Sequence, residues 1–526
     1  MKIVVADSLP ERALEILAAE PSWSTVDVSR QKARLTQEIR DARALLVRSA
    51  TQVTPELLAA ARQLLVIGRA GVGVDNIDLD AATRKGILVL NTPGGNAVSV
   101  AEHTLALLLA LAHHITQADS SMKQGRWEKS KFTGVELRGK TLGLAGLGAI
   151  GSEVARLAQA HQMTVIAFDP YVRGAFAAEH GIRLVPFDEL MRASDFVSLH
   201  CSLTPETTHL INAKTLALAR RGVRIVNCAR GELVDEGALA AALESGRVAA
   251  AALDVFEHEP PKDSPLVRHP NVISTPHIAG STEEAQEAVG TRIAEQVRDF
   301  LLHGVVRNAV NLPAVSPEDL KKLEPYLQLG ERLGSFLAQA AEQPIEEVRI
   351  SYDGGLAGVN THLVKNAVLK GLFSRVLAEP VNLVNAAYVA ESRGLEVIEL
   401  RSARRAAVAN SLHISAHAAA ETLAVLGMTG LKNMPYLLSV NDIEMEAPLK
   451  GVLLLMRNQD VPGVIGRVGT VLGEHGINIA NFALGRSADS NEALGLVNVD
   501  QIVPEEVLLA LRRIPAMRRA QVVEIP

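Results

Sequence analysis

The sequence predicts a layered α/β protein with two parallel-sheet units, followed by an α+β segment and a C-terminal βαββαβ module. Short β-rich runs alternate with helical patterns over residues 2–93, and the alternation restarts after Gly139. Hydrophobic residues make up 48% of the 526 residues and aromatic residues only 3%, so Ala, Val, Leu and Ile must build the cores. At a prior of roughly 150 residues per domain, this length suggests three or four domains.

The first unit has four predicted strands separated by helices such as ERALEILAAE, namely KIVVAD, ALLVRSA, LLVIGRAG and ILVLNTP. A helical stretch from Val98 to Gln117 leads to six more strands, TLGLAG, TVIAF, FVSLH, RIVNC, AALDVF and NVISTP, which fit a doubly wound sheet. Helical periodicity over Glu283–Leu302 predicts a helix that returns to the first unit. The first domain is therefore expected to be discontinuous, with residues 1–98 and 285–313 flanking a second domain of residues 99–284.

Leu312–Pro317 carries two prolines and is the predicted linker to the remaining two domains. Residues 314–449 combine helical and strand-like patterns without a recognisable catalytic constellation. Residues 450–526 read in the order βαββαβ, which is that of a ferredoxin-like module. A module this small would gain stability by pairing with a copy of itself.

Charge and cysteine content exclude several classes of function. The net charge of −6 comes without basic blocks, so neither nucleic acid nor a membrane surface is an expected partner. Two cysteines are too few for a disulfide framework and suit the reducing cytoplasm. The N-terminus resembles a first strand rather than a signal peptide, and the apolar run Leu105–Ala112 is too short to span a bilayer.

The turn GLAGLGAIG predicts a dinucleotide site because it follows an apolar strand and opens a helix. Glycines at such a turn let the backbone approach a pyrophosphate, and the helix N-terminus supplies free N–H groups. The predicted contacts are Gly146, Gly148, Ala149, Ile150 and Gly151.

Asp169 supports the same prediction from the end of the following strand. It lies eighteen residues after Gly151, close to the offset of about 20 at which an acidic residue binds the ribose hydroxyls. A carboxylate there repels a 2′-phosphate, which favours NAD over NADP. The alternative is a turn residue before Pro170.

Arg230, Glu259 and His277 each follow a predicted strand of the second unit, so they are expected to meet at the carboxyl edge of one sheet. Arginine can hold a substrate carboxylate, and histidine with a carboxylate partner can move a proton near neutral pH. Each residue alone has a structural alternative, as an ion pair, a capping acid or a loop histidine. The adjacent pair Glu257 and His258 competes for the acid and base roles. No metal site is predicted, and His200 and Cys201 are expected to line the crevice.

Six segments together resemble the D-isomer-specific 2-hydroxyacid dehydrogenases over about 310 residues: GRAGVGVDNID, NTPGGNAVSVAEHT, GLGAIG, NCARGELVDE, DVFEHEP and STPHIAG. The variants RSATQVT and NTPGGN are similar to the members of that family that oxidise 3-phospho-D-glycerate to 3-phosphooxypyruvate, toward L-serine. The tail resembles an ACT domain, an amino-acid-sensing module, and residues 314–449 resemble the intervening domain of long-form members.

The resemblance implies that His277 is the acid/base, Glu259 its orienting partner and Arg230 the substrate clamp. It also implies that hydride passes to NAD. The implied cofactor contacts beyond the turn and Asp169 are Thr204, Cys228, Arg230, Asp254 and His277. The implied substrate contacts are Arg48, Gly71, Val72, Gly73, Asn96, Lys129, Arg230 and His277. Asp460 and Asn478 match positions that bind serine in ACT relatives, and a homodimer or homotetramer is expected.

Three positions depart from the family pattern. Ala149 stands where members usually carry Arg or His, which removes one pyrophosphate contact. Lys129 stands where Arg is usual and lacks the bidentate fork. Asn458 replaces a His or Tyr in the effector region.

Two alternatives remain open from the sequence. A glyoxylate or hydroxypyruvate reductase, or another D-2-hydroxyacid dehydrogenase, would use the same catalytic residues, although such relatives generally end some two hundred residues earlier. A non-catalytic NAD-sensing protein on the same fold would instead carry a tail of low complexity.

Overall fold

The computed structural model describes residues 1–262, 264–313, 317–358, 361–377, 380–402, 410–419, 421–441, 443–487 and 490–526. These described residues form four sheets. The predicted fold class, with two parallel-sheet units, an α+β segment and a C-terminal βαββαβ module, is confirmed.

The first sheet is parallel throughout, in the order β2-β1-β3-β4-β5. Its strands are β1 (Lys2–Val5), β2 (Ser24–Asp27), β3 (Ala44–Val47), β4 (Val66–Arg69) and β5 (Leu88–Leu90). Helices α1 (Glu11–Ala18), α2 (Leu35–Glu38), α3 (Pro55–Ala60) and α4 (Leu79–Arg84) connect them. Strand β2 was not predicted because its four residues, STVD, are not strongly apolar and are only partly buried or exposed.

Two helices, α5 (Ala97–His113) and α6 (Ile115–Lys123), lead to the second sheet. The predicted helical stretch is confirmed, but it divides into two helices because the chain breaks at His114, which adopts a left-handed conformation with φ of 52°. Within the described residues, no single helix has the length and apolarity to cross a membrane, although α5 and α6, bent by 66°, pass that test as a pair.

The second sheet is also parallel, in the order β12-β11-β10-β9-β6-β7-β8. Its strands are β6 (Thr141–Ala145), β7 (Thr164–Phe168), β8 (Arg183–Leu184), β9 (Phe196–Leu199), β10 (Val223–Asn227), β11 (Val248–Leu253) and β12 (Val272–Ser274). The helices are α7 (Ala149–Ala160), α8 (Gly174–Glu179), α9 (Phe187–Ala193), α10 (Ala213–Leu218) and α11 (Glu236–Glu244). The unpredicted seventh strand, β8, has only two residues, which is too short for a sequence pattern.

Helix α12 (Glu283–His303) follows β12 and packs on the first sheet. Its start is capped by the Thr282 hydroxyl, which accepts a hydrogen bond from Ala285 N. Gly68 on β4 permits the close approach, since a β-carbon there would lie 2.8 Å from the side chain of Val297 and 2.9 Å from that of Ile293. The chain thus crosses between the two sheets twice, and Ser99 Oγ lies 2.6 Å from Thr282 Oγ1 where the crossings meet.

The third sheet is mixed and runs in the order β14-β13-β15-β16-β17-β18. Its strands are β13 (Glu347–Asp353), β14 (Glu396–Ser402), β15 (Ser411–His417), β16 (Thr422–Thr429), β17 (Pro435–Val440) and β18 (Ile443–Pro448). Helices α13 (Pro317–Ala340), α14 (His362–Ser374) and α15 (Ala386–Ser392) cover it. Residues 314–316 of the predicted linker lie outside the described residues, and Pro317 already belongs to α13.

The fourth sheet is antiparallel, in the order β20-β21-β19-β22, and forms the predicted βαββαβ module. Its elements are β19 (Gly451–Gln459), α16 (Val464–Glu474), β20 (Ile479–Arg486), β21 (Glu492–Val499), α17 (Glu505–Arg512) and β22 (Met517–Ile525). The sheet face opposite its helices is covered by the third domain, since Leu453, Leu496 and Val523 belong to the same core as Leu333 and Leu337 of α13.

Candidate functional site

The glycine turn lies where the strand order of the second sheet reverses, between β6 and β9, which is the usual ligand crevice of an open parallel sheet. Gly146 has φ of 100°, and a β-carbon there would lie 2.6 Å from the carbonyl carbon of His200. A β-carbon at Gly148 would meet nothing within 4 Å, so the backbone at the start of α7 faces open space. No side chain caps this twelve-residue helix, so its first N–H groups are available to a pyrophosphate.

Asp169 follows β7 and holds the turn in place. Its Oδ2 accepts a hydrogen bond from Leu147 N at 2.8 Å, and its Oδ1 accepts from Tyr171 N at 2.9 Å. The remaining lone pairs are available to ribose hydroxyls. This arrangement of glycines, helix terminus and carboxylate fits a dinucleotide, which when bound would supply the hydride acceptor.

The other predicted cofactor contacts lie around the same edge. Ile150 packs against the core beneath α7. Thr204 forms a turn after β9, in which its N–H donates to the Thr207 hydroxyl at 2.7 Å. Cys228 follows β10 and is buried, which raises the pKa of its thiol to about 12. It is therefore a neutral group at physiological pH.

His277 and Glu259 form the central pair of the site. His277 Nδ1 lies 2.8 Å from Glu259 Oε2. The pair joins the loops that follow β11 and β12, and both side chains are partly open to solvent. Because Glu259 engages Nδ1, the Nε2 atom of the imidazole is left to exchange a proton with a substrate.

Asp254 fixes the loop that carries His277. Its side chain is fully buried, and its carboxylate accepts hydrogen bonds from Thr275 Oγ1 at 2.6 Å, Ile278 N at 2.9 Å and Ala279 N at 2.9 Å. The Asp254 carbonyl oxygen also accepts from His277 N at 2.8 Å. His277 has φ of 53°, a conformation that a non-glycine residue adopts only when its surroundings impose it. The bonds to Asp254 supply that restraint.

Arg230 reaches from the second sheet to the loop after β4 on the first. Its Nη2 lies 3.0 Å from Asp75 Oδ2, and its Nη1 donates to Ala229 O at 2.6 Å. A β-carbon at Gly73 would overlap the guanidinium, so the absence of a side chain there allows the contact. The same loop is anchored by Asn91 Nδ2, which donates to Val72 O at 2.6 Å. The predicted substrate clamp, Arg230, is therefore adjacent to the loop of Gly71, Val72 and Gly73. This loop, here called the cradle, is the one that the family resemblance implies for the substrate carboxylate.

Arg69 is a site residue that sequence reasoning missed, although it directly precedes the cradle. Its guanidinium lies over Gly71, where a β-carbon would overlap it. Burial lowers the pKa of Arg69, and the nearby Arg230 and Arg48 lower it further, while Asp75 opposes them. Its Nε is buried and has no hydrogen-bond partner within the described part of the chain. A cation in this condition is a candidate to receive an anion.

Of the remaining predicted substrate residues, Arg48 and Asn96 lie beside other residues of the site, and Lys129 does not. Arg48 follows β3 and faces the same region as Arg69. Asn96 precedes α5 and packs against Gly280, where a β-carbon would lie 2.7 Å from its Nδ2. Lys129 is exposed in a short 3₁₀ turn, Lys129–Phe132. Among the described residues, no hydrogen bond or ion pair joins Lys129 to the rest of the site.

The competing acid and base candidates are placed differently. Glu257 Oε1 lies 3.0 Å from His209 Nε2, so this carboxylate is engaged away from His277. His258 is exposed. His200 is buried at the glycine turn, where burial lowers its pKa to about 4 and leaves a weak base. Burial raises the pKa of the Cys201 thiol to about 11. No group of three potential metal ligands occurs among the described His, Cys, Asp and Glu residues.

Three family models match the chain. They describe the NAD binding domain of D-isomer specific 2-hydroxyacid dehydrogenases at residues 105–279, the intervening domain of D-3-phosphoglycerate dehydrogenase at 322–441, and an ACT domain at 452–516. Two similar relatives are D-3-phosphoglycerate dehydrogenases, from Methanocaldococcus jannaschii at 44% identity and from Bacillus subtilis at 38%. Each alignment covers 100% of both chains.

Solved structures resemble about three fifths of the chain. D-lactate dehydrogenase from Aquifex aeolicus, complexed with NAD and lactic acid, is 32% identical with a TM-score of 0.52, and covers 60% of this chain and 100% of its own. A glyoxylate reductase from Paecilomyes thermophila is 30% identical with a TM-score of 0.53, and covers 61% and 99%.

The fold and the site define a NAD-dependent dehydrogenase of the D-isomer specific 2-hydroxyacid class. Within that class, the chain belongs to the D-3-phosphoglycerate dehydrogenase family, because full-length relatives and the intervening-domain model both match it. Both relatives are named as dehydrogenases, which argues against the alternative of a non-catalytic NAD-sensing protein.

Proposed function

We propose that this chain oxidises 3-phospho-D-glycerate to 3-phosphooxypyruvate with NAD, the first step toward L-serine. The observation that carries the proposal is the grouping of three arginines, Arg48, Arg69 and Arg230, at one glycine loop. Arg230 also shares a sheet edge with the His277–Glu259 pair, since these residues follow β10, β11 and β12. A phosphorylated hydroxy acid has two anionic groups and so needs more cationic binding groups than lactate or glycerate.

The residues divide the work as follows. Gly71 N donates to Arg69 O at 2.9 Å, so this predicted contact is already engaged. The backbone N–H groups of Val72 and Gly73, with Arg230, hold the substrate carboxylate and orient the C2 carbon. Arg48 and Arg69 bind the phosphate, and Asn96 borders the carboxylate. As the C2 hydrogen leaves with its electron pair as hydride, His277 Nε2 accepts the hydroxyl proton. Glu259 then stabilises the imidazolium that forms, and the electrostatic gain comes from a pair already oriented before substrate arrives.

We infer the same four-domain organisation that the sequence predicts, with residues 1–98 and 285–313 binding substrate, 99–284 binding NAD, 314–449 intervening and 450–526 regulatory. In support, α12 packs on β4 and α1 rather than on the second sheet. The glycine turn and His277 lie on one sheet and the cradle on the other. Closure of the two would bring cofactor and substrate together.

L-serine is the effector that we propose for the ACT domain. Asp460 and Asn478 flank the first helix of the module, α16. Asp460 Oδ2 lies 3.4 Å from Arg486 Nε, and Asn478 Nδ2 donates to Asp500 Oδ2 at 2.7 Å. Asn458 is buried, and its amide donates to Gln459 O at 2.8 Å, so it faces its own strand.

We also propose a cytoplasmic homo-oligomer, a dimer or tetramer. The apolar centre of α5 is core rather than surface, since Leu107, Leu108 and Leu111 are buried within the chain. The support for a dimer surface comes instead from exposed apolar side chains at and beyond its ends, namely Val98, Ile115, Met122 and Trp127.

The test is NADH formation at alkaline pH with 3-phospho-D-glycerate, D-glycerate and D-lactate as alternative substrates. We expect strong preference for the phosphorylated acid in kcat/KM. Equal or better turnover of the unphosphorylated acids would reassign the chain to the general D-2-hydroxyacid dehydrogenases.

A further inference from the structure

The cradle loop and the Arg48 loop are tied together by one side chain. They follow neighbouring strands, β4 and β3, whose register pairs Val47 with Arg69. Asn76, at the end of the cradle loop, donates from Nδ2 to Arg48 O at 2.7 Å and to Thr51 O at 2.6 Å. Asn76 is buried, with 8% of its surface exposed.

Both hydrogen bonds that Asn76 Nδ2 donates go to carbonyl groups of the Arg48 loop. Asn76 Oδ1 is buried and accepts no hydrogen bond within the described part of the chain. An unpaired buried oxygen costs free energy, so stability alone does not explain an amide at this position. The bonds that it does make connect one anion-binding loop to the other.

Asp7 holds the Arg48 loop from the other side. Its Oδ2 accepts from Arg48 N at 2.7 Å and from Thr51 N at 3.2 Å, and its Oδ1 accepts from Thr51 Oγ1 at 2.7 Å. The Arg48 main chain is therefore fixed at its N–H by Asp7 and at its carbonyl by Asn76.

The Arg48 guanidinium, in contrast, is weakly held. Its Nη1 lies 3.4 Å from Ser8 O and 3.5 Å from Gln286 Oε1, and no described carboxylate lies within ion-pair distance of it. A rigid backbone carrying an unpaired cation is a pre-organised anion site. Main-chain bonds from Ala70 N to Val47 O and from Val53 N to Asn76 O join the two segments at their ends, and the Asn76 side chain adds the link to Arg48 itself.

We propose that Asn76 is a positioning residue that fixes the separation between the two anion-binding loops, and thereby selects acids with a second anionic group. The inference rests on the proposed function. A monoanionic acid occupies the cradle alone and does not depend on this separation. A phosphorylated acid must engage both loops at once, and a displacement of about 1 Å can cost up to ~100-fold in rate.

The test compares Asn76→Ser with a matched control, Asn311→Ser. Serine is too short to reach both carbonyl groups. Asn311 belongs to the same domain, and its amide likewise donates to a main-chain carbonyl, Ile87 O at 2.8 Å, but it contacts neither loop. The measured quantities are kcat and KM for 3-phospho-D-glycerate and D-glycerate.

In Asn76→Ser we expect KM for the phosphorylated acid to rise about tenfold, as for a misplaced binding group, with KM for D-glycerate within about twofold of wild type. Asn311→Ser should leave the ratio of the two kcat/KM values unchanged. Equal losses for both acids in Asn76→Ser, or an unchanged ratio, would overturn the proposal.

A second variant keeps the test decisive if Asn76→Ser does not fold, as judged by loss of NADH binding. Asp7→Asn weakens the other attachment of the same loop and should lower the same ratio. A wild-type enzyme without preference for the phosphorylated acid would refute the proposed function itself. A wild-type preference that persists in both variants would refute only the role of Asn76.

Discussion

His277 Nδ1 lies 2.8 Å from Glu259 Oε2, and the loop that carries the histidine is held by the buried carboxylate of Asp254. Nδ1 of His277 thus orients the imidazole through Glu259, and Nε2 is left to exchange the proton. Replacing His277 with Asn should lower kcat by about 10²- to 10⁴-fold, because the hydroxyl proton loses its acceptor. Steady-state NADH formation measures this.

NADH binding provides the control for that variant, since the glycine turn lies after β6 and is untouched by the change. Retained turnover in His277→Asn would contradict the assignment and transfer the base role to His258. Glu259→Gln should reduce kcat less than His277→Asn does, because it leaves the proton acceptor in place.

Gly73→Ala should raise KM by tenfold or more, because its β-carbon would displace the Arg230 guanidinium from the cradle. Gly73 does not have a positive φ, so backbone strain should not contribute and Tm should change little. Gly174→Ala is the matched control, since a β-carbon there meets nothing within 4 Å. An unchanged KM in Gly73→Ala would show that Arg230 does not act at this position.

Ala149→Arg should tighten NADH binding about fivefold, as expected for one partly exposed charge-assisted contact of ~1 kcal/mol. Ala149 is the first residue of α7 and is exposed beside the glycine turn. Ala160→Arg, at the opposite end of the same helix, should have no effect. Fluorescence titration with NADH distinguishes the two variants, and equal affinities would argue against a pyrophosphate at this helix terminus.

Asp7 makes stability depend on pH. Burial alone would raise its pKa, but hydrogen bonds from Lys32, Thr51 and Arg48 N outweigh burial and hold it below the usual 3.8. The carboxylate therefore stabilises the fold fully above about pH 4, and this contribution is lost as the pH falls through the lowered value. The Tm difference between wild type and Asp7→Asn should be large at pH 7 and shrink in acid. A difference that stays constant with pH would contradict a lowered pKa for Asp7.

Asp460→Ala should weaken inhibition by L-serine while leaving uninhibited activity unchanged, because the residue lies in the ACT domain and not in the catalytic domains. Glu505→Ala removes another exposed carboxylate of that domain, one that pairs with Arg512, and serves as the control. The measurement is activity against L-serine up to millimolar concentration. If the activity of the wild-type enzyme did not change with L-serine, the role left for the ACT domain would be assembly.

Strand ends were the most predictable part of this molecule. The placement of Arg230, Glu259 and His277 was predictable because each follows an apolar run, and parallel strands bring their carboxyl ends to one edge. The glycine turn was found because spacing and context agree. The two unpredicted strands of the parallel sheets, β2 and β8, are short and poorly hydrophobic, and each pairs with a more apolar neighbour, β1 or β7.

Contacts between loops of the two sheets were not predictable. Arg69, Asp75 and Asn76 all lie in the quoted segment GRAGVGVDNID, yet nothing in their spacing shows that one covers Gly71, another pairs with Arg230 and the third reaches the Arg48 loop. Such contacts depend on how strands separated in sequence pair in space. The break at His114 was missed for a similar reason, since the apolar pattern continues across it.

The shared core of the last two domains determines where this chain can be shortened. A truncation before Lys450 would expose Leu333, Leu337 and their neighbours to water, since the ACT sheet supplies the other half of that core. A cut before α13 would instead remove both domains together and would not divide this core. Because the two C-terminal domains share one hydrophobic core, we expect them to be removed from the chain, or transferred to another chain, only together.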